Sequence, residues 1–155
     1  MLQRVQRNKT SGASARFAIV ASQYNARYVD AMLRNAQRVL HRAGARNVKL
    51  VRVPGAFEIP AVAARLLSAA KSAPDAIICL GVVLRGETSH AQIITESVSH
   101  ALAMLQANHA VPVIHGVLLF ENERQAKVRC LGRIHNRGAE AAATALAMAR
   151  IMRGI

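Results

Sequence analysis

Tryptophan is missing from this chain, and three phenylalanines and two tyrosines are its only other large aromatics. With 52% of its residues apolar, the core must therefore be aliphatic, built from Ala, Val, Ile and Leu. The same shortage leaves no interleaved aromatics on which nucleic-acid bases could stack. Cysteine is nearly absent: Cys79 and Cys130 have neither metal-ligand nor redox spacing, which excludes a disulfide scaffold and fits a reduced, intracellular chain. No apolar run approaches the ~18 residues of a membrane helix, and the N-terminus lacks the apolar segment of a secretory leader. A soluble, cytoplasmic protein is expected. Acid is the third shortage, with eight Asp and Glu against 21 Lys and Arg, a net charge of +13. Such a balance suits a nucleic-acid partner. Yet Arg27, Arg34, Arg38, Arg42 and Arg46 are spread along one segment and the others are scattered. The charge reads as solvated faces or attraction for anionic substrates, and a nucleic-acid partner is not expected. Nucleophile elbow, Walker loop, G-x-G-x-x-G and metal cluster are all absent, as are internal repeats and linkers.

What is there alternates. Residues 1–16 are basic and free of acid and read as a mobile arm; residues 17–155 read as a single domain. Phe17–Ser22 is a short buried strand. Val29, Met32, Leu33, Ala36, Val39 and Leu40 then recur at helical spacing, with Asn25 a candidate N-cap and Gly44 a stop. Val48–Val53 is a partly polar strand, suited to a sheet edge. A turn, Pro54–Pro60, leads into an Ala- and Leu-rich helix ending near Lys71. Ala76–Leu84 is an almost unbroken apolar run, a strand buried on both faces. Ser89 and Gln92 have capping-box spacing, so a helix starts at Ser89 and runs to about Asn108. Val111–Phe120 is the fourth strand, 121–129 a short helix, 131–137 a loop and 138–153 the last helix. Four strand–helix alternations imply an α/β domain: a parallel sheet joined by right-handed crossovers, helices on both faces.

In such sheets ligands bind beyond the carboxyl ends of the strands. Tyr24-Asn25, Ala56-Phe57-Glu58, Arg85–His90 and the segment after Phe120 all follow strands, so the topology gathers them at one rim. The turn Arg85-Gly86-Glu87-Thr88-Ser89-His90, running into a helix N-terminus, can hold an anion such as phosphate, with His90 beside it. Glu58 can bind polyol hydroxyls or cap the following helix. Phe57 and Tyr24 can sandwich a flat ring or belong to the core. Arg129 can pair with a phosphate. His115, within VPVIHGVLLF, reads first as a core histidine with one hydrogen bond. A phosphate cradle, a histidine, a carboxylate and rings suit proton transfer between two small molecules, without metal or organic cofactor.

The segments VPGAFEIP (53–60), LGVVLRGETSH (80–90), VPVIHGV (111–117), ENERQAKVR (121–129) and NRGAEAA (136–142) resemble the lumazine synthase family, in order and spacing, over about residues 16–153. The resemblance implies a flavodoxin-like three-layer α/β/α sandwich with a four-stranded parallel sheet. It implies condensation of 5-amino-6-(D-ribitylamino)uracil with 3,4-dihydroxy-2-butanone 4-phosphate to 6,7-dimethyl-8-ribityllumazine, in riboflavin biosynthesis, with phosphate and water released and no cofactor. By the same resemblance His90 is the acid/base histidine. Gly86, Glu87 and Thr88 form the phosphate turn, and Arg129 holds the same phosphate. Tyr24 stacks on the pyrimidine, Asn25, Ala56, Phe57 and Glu58 bind the ribityl chain, and Val82, Val83 and Leu84 meet the pyrimidine through their backbone. Family members are pentamers with sites between subunits, and some assemble into shells of sixty chains; a pentamer is the expectation here.

Several positions depart from the family. His115 stands where a Phe usually packs against the ring, and Leu119-Phe120 replaces a polar pair. Ala91 replaces an aromatic after His90, and Val128 replaces a Glu before Arg129. His115 keeps open a second reading, a flavin- or lumazine-binding or shell-forming relative that has lost catalysis.

Overall fold

A computed structural model describes residues 11–155. Four parallel strands carry the alternation read from the sequence: β1 (Arg16–Ser22), β2 (Asn47–Val53), β3 (Ala76–Leu84) and β4 (Val113–Phe120), in the spatial order β2-β1-β3-β4. Helices α1 (Ala26–Arg42), α2 (Ile59–Leu67), α3 (His90–His109), α4 (Glu123–Ala126) and α5 (Arg137–Arg153) complete the chain. The central pair β1 and β3 is in register from Phe17 opposite Ala76 to Ala21 opposite Leu80. Over this register both strands are apolar because helices cover both of their faces. Ile19, Ala21, Ile78, Leu80 and Val82 meet Val29, Met32, Leu33 and Leu40 of α1 and Ala142, Ala145 and Leu146 of α5. On the opposite face, Ala18, Val20, Ile77 and Cys79 pack with Ile59 and Ala63 of α2 and Val98 and Leu102 of α3. This is the three-layer α/β/α arrangement with a flavodoxin-like strand order. Burial pushes both thiols, Cys79 and Cys130, up to about 12, so neither is reactive near neutral pH.

The residues set the element ends by identifiable chemistry. Gly44, at φ 81°, closes α1: its N–H donates to His41 O (2.9 Å) and that of Ala45 to Leu40 O (3.0 Å), the paired pattern that a left-handed glycine permits. Helix α2 stops at Leu67, four residues before Lys71, where the Ser68 hydroxyl turns back onto Ala64 O (2.9 Å). Beyond α4 the chain widens into a π-type turn, Lys127–Leu131. Asn136, 3% exposed, then caps α5, accepting from the N–H groups of Gly138 (2.9 Å) and Ala139 (3.2 Å). Its amide donates to Cys130 O, so one buried side chain ties the turn to the helix. Gly138 lies against α1, where a β-carbon would fall on the Met32 carbonyl oxygen.

Residues 1–10 of the expected mobile arm lie outside the described residues, and residues 11–16 do not continue it. The Gly12 N–H donates to Ala43 O (2.7 Å), Ala15 is buried at 3% exposure, and Arg16 already belongs to β1. Gly12, Ala13 and Ala15 are small enough to be drawn onto the body beside Ala45 and Leu146.

Candidate active site

All four strands end at one rim, and hydrogen bonds tie their outgoing loops together. Gln23 and Tyr24 N–H groups donate to Val53 O (2.8 Å) and Pro54 O (3.0 Å), joining the loops after β1 and β2. Asn25 occupies the N-cap position of α1 but does not cap it. It adopts a left-handed conformation, φ 55°, and its amide reaches across to donate to Val82 O (2.8 Å). Such a conformation costs a non-glycine residue free energy, least for Asn, and here the surrounding bonds hold it in place. One oxygen of the backbone segment Val82–Leu84 is thereby already committed. Beneath it, a β-carbon on Gly81 would meet Ala56 Cβ and Ile59 Cδ1 at 3.3 Å and Ser22 Oγ at 3.4 Å. The floor between β1, β3 and the turn Ala56–Glu58 is thus closely packed.

Above that floor the rings stand out rather than in. Tyr24 is 75% exposed and Phe57 60% exposed, so neither belongs to the core. Leaving two of only five aromatics in water is an expensive use of apolar surface unless something covers them. Glu58 accepts from the Gly55 N–H through Oε2 (2.9 Å), the capping alternative, and its residue is otherwise exposed. Ala56 is buried beside it.

The turn after β3 is open. Gly86, Glu87, Thr88, Ser89 and His90 are all exposed, and nothing lies within 4 Å of a β-carbon built on Gly86. The capping box does not form. Ser89 has helical dihedrals (φ −70°, ψ −2°) with no side-chain cap, and Gln92 bonds Glu96 one turn on (2.7 Å). A serine caps from extended backbone, which Ser89 lacks. The His90 N–H meets Thr88 Oγ1 at 3.4 Å. Apart from that long contact the helix end has no side-chain cap, a condition an anion can exploit.

The remaining candidates lie toward β4. Leu118, Leu119, Phe120, Arg124, Gln125, Val128, Arg129 and Arg137 line a cleft of about 600 Å³. Arg129 has no carboxylate partner among the described residues, consistent with Val128 standing where the resemblance leads one to expect an acid. Arg85 at the adjacent strand end is different, held by Glu121 at 2.6 Å. A second cleft, about 440 Å³, runs along β4 and includes His115, Gln106, Arg137 and Glu140. Neither cleft is lined by Tyr24, Asn25, Phe57, Glu58 or His90. The clefts along β4 and the loops bearing Tyr24, Phe57 and His90 thus share no lining residue. Arg137 lines both clefts and pairs with Glu140 (2.7 Å), and it is not among the candidates that the sequence offers. It lies in the segment NRGAEAA, but nothing in that segment marks it as a ligand-binding residue.

His115 is not the core histidine expected. β4 is an edge strand, so the position between Val113 and Val117 is exposed rather than covered. Its Nε2 lies 2.6 Å from Ser99 Oγ, and that hydroxyl donates to Thr95 O (2.7 Å). With the serine proton so used, Nε2–H of His115 is the donor. Packing against α3 desolvates the ring enough to lower its pKa below the ordinary 6.5. In this case the unfolded chain binds a proton more readily than the fold. The contribution is complete above pH 6.5 and is lost as pH falls through the lowered folded value. Denaturant midpoints of wild type and His115→Phe should therefore diverge in acid, the wild type falling more between pH 7 and 5; parallel declines would contradict it.

The sequence model of the 6,7-dimethyl-8-ribityllumazine synthase family matches residues 14–153. A Stenotrophomonas maltophilia protein of that name is 41% identical over 141 residues, 90% of each chain. One from Xylella fastidiosa is 42% identical over 142 residues, covering 90% of this chain and 91% of its own. One from Kineococcus radiotolerans is 38% identical over 149 residues, covering 95% and 91%. Strand order, rim and sequence thus agree along nearly the whole described chain, and it belongs to the 6,7-dimethyl-8-ribityllumazine synthase family.

Proposed function

We propose that this protein is a transferase of riboflavin biosynthesis that makes 6,7-dimethyl-8-ribityllumazine from 5-amino-6-(D-ribitylamino)uracil and 3,4-dihydroxy-2-butanone 4-phosphate. The observation that carries this is the family match over residues 14–153, which spans every rim segment. Tyr24 and Phe57 then supply faces for the flat pyrimidine, and Asn25, Ala56 and the free oxygen of Glu58 take the ribityl hydroxyls. Val82, Val83 and Leu84 border the ring through their backbone. The uncapped turn Gly86–Thr88 receives the phosphate by backbone N–H donation. His90, beside that turn, moves protons as the amine adds to the ketone, a first water leaves to give the imine, phosphate is eliminated, and the ribitylamino nitrogen closes the ring on the remaining carbonyl with loss of a second water.

On this reading the residues of the clefts along β4 serve a neighbouring copy. Arg129, without a carboxylate of its own, completes the phosphate site of an adjacent subunit, and His115 borders its pyrimidine. That the clefts lined by Arg129 and His115 take no residue from the loops of Tyr24, Phe57 and His90 supports a site shared between subunits, and a pentamer is the assembly we infer. No helix of the described residues is long and apolar enough to cross a membrane, in keeping with a cytoplasmic enzyme.

The test is lumazine formation from the two substrates, followed by absorbance in the presence of EDTA. Formation well above the uncatalysed rate is expected; none from folded protein would overturn the proposal. Arg129→Ala should raise KM for the phosphorylated substrate at least ~10-fold, the scale of a lost charged hydrogen-bond pair, with little change for the pyrimidine. Equal changes for both substrates would argue against phosphate binding by Arg129.

A further inference from the structure

The basic residues that look dispersed in the sequence are gathered by the fold. Arg27, Arg34 and Arg38 fall at helical spacings of seven and four residues, and His41 and Arg42 continue the same face of α1. All five are exposed. From Arg27 to Arg42 the stripe runs roughly 22 Å, with roughly 6 Å between Arg34 and Arg38 and again to Arg42. Arg46 and Lys49, both exposed, extend it past the helix end to the edge strand β2.

Among the described residues, no carboxylate neutralises this face. Asp30 is the only acid in α1 and is already paired with Arg52 at 2.8 Å. Among the described residues, none of Arg27, Arg34, Arg38, Arg42 and Arg46 has a carboxylate partner. Five like charges held on one rigid face without counter-charge repel one another, a cost relieved by a polyanion.

We propose that the outer face of α1 is a docking surface for the phosphate backbone of a nucleic-acid duplex, bound without regard to sequence. Three observations select this partner. The groups are guanidiniums, whose planar donor fork matches phosphate oxygens two at a time. The apolar residues of α1, including Val29, Met32, Leu33, Ala36 and Leu40, are in the core, so the face has no apolar wedge with which to enter a lipid surface. Tyr28, the one aromatic of the helix, is 4% exposed, which leaves no platform for unpaired bases. Contact is therefore with phosphates alone, of which a duplex offers about a dozen over the length of the stripe.

The test is titration of a fluorescent random-sequence 20-base-pair duplex with the full 155-residue chain between 50 and 200 mM salt. Saturable binding is expected in the range of about 10⁻⁶ to 10⁻⁴ M, weakening steeply with salt. R34Q/R38Q/R42Q should bind at least ~10-fold more weakly at the low-salt end, its log–log salt slope shallower by about three. Its lumazine synthesis should be unchanged, which also reports that it is folded. The control R65Q/R133Q/R150Q removes the same charge from exposed positions outside α1 and should bind like wild type. Equal losses in the two variants, no saturable binding by wild type, or tighter α1-dependent binding to phosphatidylglycerol vesicles than to duplex would each overturn the proposal.

Discussion

Replacing His90 by alanine is expected to slow lumazine formation by about 10²-fold, the lower end of what a positioned proton-transfer group contributes. The rest of the rate should survive, because holding the two substrates together and removing entropy from their encounter does not depend on that imidazole. The side chain is exposed at the first position of α3, and its backbone N–H, not its ring, meets Thr88. Removing it should therefore shift unfolding by no more than ~0.5 kcal/mol, as for an ordinary surface change. Initial rates at saturating concentrations of both substrates decide the matter. A loss confined to kcat supports proton transfer, whereas unchanged turnover removes His90 from the chemistry. A rise in KM for the phosphorylated substrate alone would assign it to binding instead.

The largest expected effect on stability comes from one carbon atom far from that site. Gly138→Ala adds a methyl group where α5 crosses α1, onto the Met32 carbonyl and its neighbouring backbone atoms. Alanine is the better helix former by up to ~1 kcal/mol, so propensity alone predicts a more stable protein. Sterics should win, because the obstructing atoms are backbone inside a helix and have no rotamer through which to escape. Relief requires α5 to move away from Met32, Leu33 and Ala36, opening the core between helices. We expect destabilisation of about 3 kcal/mol or more, a fall of roughly 10 °C in Tm for a domain of this size. Thermal unfolding followed by circular dichroism would measure it, and a variant as stable as wild type would show that the helices separate without cost.

Patterns that repeat were readable from the sequence, while single contacts between distant segments were not. Ala76–Leu84 reads as a central strand because both its faces are covered, and α1 reads as a helix because its apolar stripe has a period of 3.6. Asn25 stands at the start of α1, where its type suggests a cap it does not make. Its amide bonds a carbonyl 57 residues away, which no local spacing records. Ser89 and Gln92 have the spacing of a capping box without the backbone dihedrals that make one. His115 looks buried because its neighbours are apolar; only the strand order reveals that β4 has a bare edge. The Arg residues of α1 look scattered because the eye reads a linear spacing, whereas the helix aligns them. In the site itself, the rim segments were legible as strand exits. The clefts beside β4 were not, because their lining combines side chains from α3, β4, α4 and α5 that no local spacing brings together.

The packing of α5 against α1 also orders events in time. A ribosome releases α1 roughly a hundred residues before it releases α5, an interval of about 5 to 20 seconds at ordinary rates of synthesis. During that interval Met32, Leu33 and Ala36 lack the helix that covers them, and for roughly its first third β1 has yet to meet β3. The nascent chain is therefore most adhesive while it is being made. A terminal segment ending in α5 acts as the closing latch of the fold, so truncating the chain before Asn136 should yield a product retained by chaperones rather than a smaller enzyme.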